Sequence, residues 1–103
     1  MPNEQVIPDA ALRDPKSVEM LRVWIAEKSL WCSLRVGMYS ERGMDEPGAW
    51  GKILADAARH IANALAESEN LDRSETLEKN QQEFARELSS PSSTASGKFV
   101  RRS

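Results

Sequence analysis

Apolar residues alternate with polar or aromatic ones over residues 30–39, the spacing that puts successive side chains on opposite faces of a β-strand. The same alternation occurs over residues 21–26, and Glu27-Lys28-Ser29 between them is short enough for a hairpin loop, although it lacks glycine and Asn-Gly. The pattern predicts a β-hairpin with strands at about 21–26 and 30–39, after a helical turn at about 15–20. A helix over residues 16–26, capped by Asp14, is the alternative. The apolar face of the hairpin is Leu21, Val23, Ile25, Leu30, Cys32, Leu34, Val36 and Met38.

The apolar period changes to that of a helix after Asp45, which we expect to cap the helix ahead of Pro47 in its first turn. This helix is predicted over about 46–68. Its core face, expected to pack on the hairpin, consists of Trp50, Leu54, Ala57, Ile61, Ala64 and Leu65. A neighbouring stripe of small residues, Gly51, Ala55, Ala58 and Ala62, would let the last helix or a second copy of the chain approach closely.

A C-terminal helix is predicted over about 73–88. Asp72 and Glu75 have the spacing of a capping box. Leu77, Phe84 and Leu88 form a narrow apolar stripe, so we expect this helix to pack along one edge only. The resulting fold class is α+β: a hairpin packed on a long helix and a C-terminal helix.

The 103 residues suffice for one domain. We expect a flexible N-terminus at 1–5, a single small α+β domain at 6–88 and a disordered, Ser-rich basic tail at 89–103. The net charge of −2 hides an uneven distribution, since all 16 acidic residues lie at or before Glu87 and the tail holds only Lys98, Arg101 and Arg102. The acidic folded part disfavours nucleic acid as a partner.

One Cys and one His exclude an intramolecular disulfide and leave too few ligands for a Cys/His zinc site. No cofactor or metal is therefore expected. The longest apolar run is only a few residues, and the first residues lack the basic-then-apolar order of a signal peptide. These features predict a cytoplasmic protein without a membrane partner.

Three segments together resemble a known family. They are residues 18–26, residues 30–35 and the helix start Ala49-Trp50-Gly51 that leads to Asp56-x-x-Arg59-His60-Ile61-Ala62. The chain resembles, over roughly residues 7–90, a family of short alphaproteobacterial proteins of unknown function. The resemblance implies a small bacterial α+β domain and nothing about chemistry.

The second face of the hairpin is a candidate binding surface: Arg22, Trp24, Trp31, Arg35 and Tyr39. Trp, Tyr and Arg are enriched in protein interfaces. We weigh this against a structural interpretation, in which the N-terminal segment (Val6, Ile7, Leu12) or the last helix covers this face.

A second candidate is the polar cluster Asp56, Arg59 and His60 on the long helix. A carboxylate one turn from an imidazole can orient the ring for acid/base work, but it equally provides a half-buried His with a hydrogen bond. We favour the structural interpretation.

The sequence contains no phosphate loop, paired-carboxylate motif or nucleophile elbow. It predicts a non-catalytic interaction or regulatory module whose partner is another protein or a second copy of the chain. A ligand-binding or enzymatic domain that uses Asp56, Arg59 and His60 is the alternative.

Overall fold

The structure is a computed structural model, and it describes residues 3–101. The chain divides into two compact units. Of the described residues, one unit comprises 3–38 and 96–101, and the other is Tyr39–Ala95. The first unit contains a β-sheet and the second contains the two long helices.

The sheet unit begins with the short helix α1 (Asp9–Arg13), which lies earlier than the helical turn predicted at 15–20. Proline disfavours the helical conformation of the residue before it, and Asp14, which precedes Pro15, is extended with φ −97° and ψ 109°. The helix therefore ends there.

Strands β1 (Leu21–Ala26) and β2 (Ser29–Val36) form the predicted hairpin. They are antiparallel, and Val23 lies opposite Cys32 while Trp24 lies opposite Trp31. The loop is two residues long, since Ala26 pairs with Ser29. Glu27 and Lys28 both have positive φ, 51° and 64°, which is the geometry of a type I′ turn, although Asn and Gly are the usual residues there.

Strand β2 ends at Val36, three residues before the predicted end. Gly37 has φ +98°, a conformation outside the β region that glycine adopts readily. As a correction, Tyr39 is not a strand residue, and it belongs to the helical unit.

A third strand, β3 (Gly97–Arg101), pairs in parallel with β2, so the strand order is β1-β2-β3. The disordered tail predicted over 89–103 did not include this strand. Phe99 and Val100 are β-formers, and Cys32 donates its N–H to the carbonyl of Ser96 at 2.9 Å, which brings the chain against β2. A Cβ at Gly97 would overlap the carbonyl oxygen of Cys32, so this close approach requires glycine.

The helical unit begins with a 3-10 turn, Ser40–Arg42, followed by α2 (Glu46–Glu69) and α3 (Arg73–Ser89). The two long helices begin and end within one residue of the predicted limits. Asn70, with φ 58°, ends α2 in the left-handed conformation that is common at helix ends. Helix α3 packs against α2, and Arg73 Nε donates to Asn63 Oδ1 at 2.9 Å.

The predicted helix starts are correct, but the predicted capping bonds are not formed. Asp45 and Asp72 occupy the N-cap positions with extended backbones, and neither side chain makes a capping hydrogen bond. The predicted capping box of Asp72 with Glu75 is therefore not formed.

The predicted α+β class and the hairpin are confirmed. Packing of the long helix on the hairpin and the limits of a single 6–88 domain stay predictions. Between residues 3 and 101, no helix combines the length and the apolar character needed to cross a membrane.

Candidate functional site

Three residues of the predicted binding surface meet on one face of the hairpin. Trp24 and Trp31 are directly opposite each other, and Arg22 is two residues from Trp24 on the same strand face. The Arg22 guanidinium lies 5.9 Å from the centroid of the Trp24 ring, within cation–π range. The Trp31 indole N–H donates to the carbonyl of Ala26 at 2.9 Å, which ties this ring to the turn end of the hairpin.

Arg22 also connects β1 to the N-terminal segment. Its guanidinium forms ion pairs with Glu4 and, at 2.9 Å, with Glu19. The hydrogen bonds that Arg22 donates to Glu19, and to a lesser extent to Glu4, raise the pKa of Arg22 above its ordinary value. The N-terminal segment is therefore held beside β1 by charge.

A groove of about 940 Å³ lies between the N-terminal segment and β1. It is lined by all six residues of β1, and no residue of β2 contributes. Residues from both faces of β1 therefore border it, which places the groove at the outer edge of the strand rather than over one sheet face. Val6, Ile7 and Leu12 form part of the opposite wall, and they are 88%, 52% and 68% exposed.

The apolar face of the hairpin is largely uncovered towards the turn. Val23, Ile25 and Leu30 are 52%, 81% and 47% exposed, whereas Leu21 and Leu34 at the other end are half-buried. Phe99 of β3 pairs with Leu34 and is 69% exposed. The chain therefore presents both an open strand edge and an adjoining apolar face.

The remaining two residues of the predicted surface are divided between the units. Arg35 is half-buried on the Trp31 face of β2, where it pairs with Val100. Tyr39 lies in the helical unit, and its backbone N–H donates to Glu46. Arg35 thus shares a sheet face with Arg22, Trp24 and Trp31, whereas Tyr39 does not.

Glu46 organises the start of α2, a role that the sequence analysis missed. Its Oε1 accepts the N–H groups of Tyr39 at 2.9 Å and Ser40 at 3.0 Å, and its Oε2 accepts the Trp50 indole N–H at 3.0 Å. The spacing of Glu46 and Trp50, one helical turn, could have indicated their hydrogen bond. The sequence drew attention to Asp45 instead, because aspartate is the more usual residue at a helix N-cap.

The polar cluster on α2 is solvent-exposed. Asp56 forms an ion pair with Arg59, and the side chains of these two residues are 70% and 62% exposed. In the described part of the chain, no hydrogen bond joins Asp56 to the exposed His60. Catalysis or ligand binding by these three residues stays a hypothesis.

The small-residue stripe is buried only at its C-terminal end. Ala62 is 1% exposed and Ala58 is half-buried, whereas Gly51 and Ala55 are exposed. Farther along, Ile61, Leu65 and Leu71 border a smaller groove of about 420 Å³ between α2 and α3. None of the described residues forms a group of three or more His, Cys, Asp or Glu side chains that could hold a metal ion.

These features define a small α+β protein with an open-edged mixed sheet and a helical hairpin. The chain belongs to the family described as "Domain of unknown function (DUF5076)", whose model matches residues 4–92. A comparison with curated proteins finds no match.

Among solved structures, the chain is similar to a protein described as a "putative pyruvate dehydrogenase from the photosynthetic bacterium Rhodopseudomonas palustrus CGA009". The two chains are 29% identical, with a TM-score of 0.67, and the similarity covers 93% of each. The alphaproteobacterial range and the motif in the long helix stay predictions.

Proposed function

We propose that this protein is a non-catalytic interaction module that works as a homodimer. The observation that carries the proposal is the apolar face of the hairpin, which is left open beside the edge of β1: Val23, Ile25 and Leu30 are 52%, 81% and 47% exposed. Contiguous apolar patches that stay exposed in a folded unit mark protein–protein interaction sites.

The kind of surface exposed supports the same proposal. Among residues 3–101, sixteen large hydrophobic residues are more than a third exposed, and they occur in both units of the chain. In the helical unit, Phe84 and Leu88 on α3 are 51% and 70% exposed. Ala62 is the only described hydrophobic residue that is fully buried, so burial within one copy contributes little stability here.

The face of the hairpin that carries Arg22, Trp24 and Trp31 has the residue types that interfaces favour. Trp, Tyr and Arg are enriched in binding hot spots because they combine large apolar area with a polar group that can be satisfied. The hairpin carries Trp24, Trp31 and Arg22 in one cluster. This composition favours a binding surface over a catalytic one.

The activity named for the Rhodopseudomonas protein has no support in this chain, because no contact among the described residues favours it. The alternative use of Asp56, Arg59 and His60 has no such contact either. Their exposed positions bring no further side chain to the cluster, and neither groove described above includes them.

Light scattering coupled to size-exclusion chromatography tests the proposal on the full chain. We expect a particle of twice 11.5 kDa at micromolar concentration, which dissociates only on strong dilution. A particle of 11.5 kDa that persists up to millimolar concentration would contradict the proposal.

A further inference from the structure

The free edge of β1 has backbone groups available for another strand. In an antiparallel pair, the residues alternate between bonding the partner strand and pointing away from it. Arg35 donates its N–H to the carbonyl of Met20 at 3.0 Å, which fixes the phase of this alternation. Arg22 and Trp24 therefore bond to β2, and Leu21, Val23 and Ile25 direct their N–H and C=O groups to the open edge.

We infer that β1 of a second copy pairs antiparallel with this edge and forms a continuous six-stranded sheet across the dimer. This inference rests on the proposed function, because it names the surface by which the homodimer forms. The order of strands is then β3-β2-β1 in one copy, followed by β1-β2-β3 in the other.

The positions of the outward groups select one register. A two-fold axis at Val23 pairs Val23 with its own copy and Leu21 with Ile25 of the second copy. All three outward residues of each strand are then used, which gives about six hydrogen bonds. An axis at Trp24 pairs Val23 with Ile25 and leaves Leu21 without a partner, so it gives about four.

The side chains agree with the Val23 register. Arg22 comes to lie opposite Trp24 of the second copy, so the cation–π pairing seen within one copy at 5.9 Å is repeated across the interface. Leu21 and Ile25 of opposite copies become neighbours on the other face. No two like charges face each other, because Arg22 is the only charged residue of β1.

The other edge of the sheet is less suited to this pairing. Strand β3 carries Lys98 and Arg101 within five residues, and charged side chains on an edge strand discourage further strands from adding. Strand β1, by contrast, borders the groove of about 940 Å³ along its whole length.

Cysteine cross-linking tests the register in the full chain, with Cys32→Ser as background so that no native thiol competes. Val23→Cys places two thiols across the two-fold axis, where paired Cα atoms are about 5.5 Å apart, within disulfide range. Ile25→Cys is the matched control, since its two copies would be about 14 Å apart. We expect the first variant to form a covalent dimer under mild oxidation at least tenfold faster than the second.

Val23→Pro provides an independent test. Proline removes the outward N–H of residue 23 but no hydrogen bond to β2, so the hairpin is retained and the dimer loses one bond from each copy. We expect the dimer dissociation constant to rise about 30-fold or more, with an unchanged circular dichroism spectrum. If Val23→Pro unfolds the chain, the cysteine pair decides alone.

A dimer in which Val23→Cys cross-links no faster than Ile25→Cys would overturn the inference and leave the proposed homodimer standing. A strictly monomeric wild-type chain would overturn both.

Discussion

At the residue scale, Glu46 connects a loop and a helix with one carboxylate. Its two oxygens accept the backbone N–H groups of Tyr39 and Ser40 and the indole N–H of Trp50. The negative charge also lies in the first turn of α2, where the helix dipole favours it.

We predict that Glu46→Ala lowers the free energy of unfolding by about 2 kcal/mol, because the donors of the half-buried residues Tyr39 and Trp50 lose a charged acceptor. Glu46→Gln should cost less, since its carbonyl oxygen still accepts from Tyr39 and Ser40, whereas its NH₂ group faces the Trp50 donor. Urea titration measures both. The control is Glu67→Ala, exposed on the same helix, for which we expect a change below about 0.5 kcal/mol. Equal effects at positions 46 and 67 would contradict this assignment.

Glu87 receives two hydrogen bonds from Ser92, one from the backbone N–H at 2.9 Å and one from the hydroxyl at 2.8 Å. These bonds favour the ionised carboxylate, so they lower the pKa of Glu87 below its ordinary value. The resulting stabilisation is present above the pKa of glutamate in the unfolded chain, about 4.3, and it is lost as the pH falls through the lower folded-state pKa.

Ser92→Ala removes the hydroxyl donor and keeps the backbone donor, so we predict a partial return of the Glu87 pKa towards its ordinary value. A titration followed by NMR at the Glu87 side chain measures this shift. Ser89→Ala serves as the control, and an equal shift there would show that Ser92 has no particular role.

At the element scale, the hairpin combines a well-specified register with an unfavourable turn. Alternation sets which residues share a face, because slipping by one residue would exchange the two faces. The turn residues Glu27 and Lys28 instead adopt positive φ, which places the Cβ of an L-residue close to backbone oxygen.

Replacing the turn with Glu27→Asn and Lys28→Gly should stabilise the hairpin by about 1–2 kcal/mol, because both residues tolerate positive φ. Thermal unfolding measures the gain. Lys28→Ala provides the control, since it removes the charge but keeps the backbone strain, and we expect no stabilisation from it. A double variant no more stable than Lys28→Ala would show that the turn is unstrained.

Much of this fold could be predicted from local signals. The helix limits followed from Asp45 and Asp72 at the starts and from the polar residues at the ends, and the first strand was predicted within the limits observed. Strand β3 could not be predicted in this way, because each of its residues pairs with a residue 65 positions earlier in the chain. Parallel strands are joined by long connections, so no short turn sequence marks which strand is the partner.

The candidate site was predicted only in part, for a similar reason. Strand alternation alone brought Arg22, Trp24 and Trp31 together, and the structure places them on one face. The groove beside them is bordered by the N-terminal segment, which the ion pair of Glu4 with Arg22 holds near β1. This segment has no periodic pattern of apolar residues, so its position could not be predicted. Tyr39 was misplaced because the glycine at position 37 was counted as an ordinary strand residue.

At the scale of the whole molecule, the exposed apolar side chains and the open edge of β1 both favour the association with a second copy that we propose. A chain with one fully buried hydrophobic side chain among its described residues has little to gain by folding alone, and a second copy would supply the missing burial. The acidic charge then lies on both copies, so the association we propose must rely on backbone pairing and apolar contact rather than on opposite net charges.

The parallel pairing of β2 with β3 has a consequence for the time course of folding. The hairpin closes through a two-residue loop, whereas β2 and β3 are separated in the chain by both long helices. Because pairing of distant segments is slower, we expect β3 to add to the sheet after the hairpin has formed. Until then, the outward groups of β2 are open and the hairpin has two edges that can accept a strand. Once β3 has paired, the edges of the sheet are β1, with one charged residue, and β3, with two, so β1 is the edge that resists a further strand less.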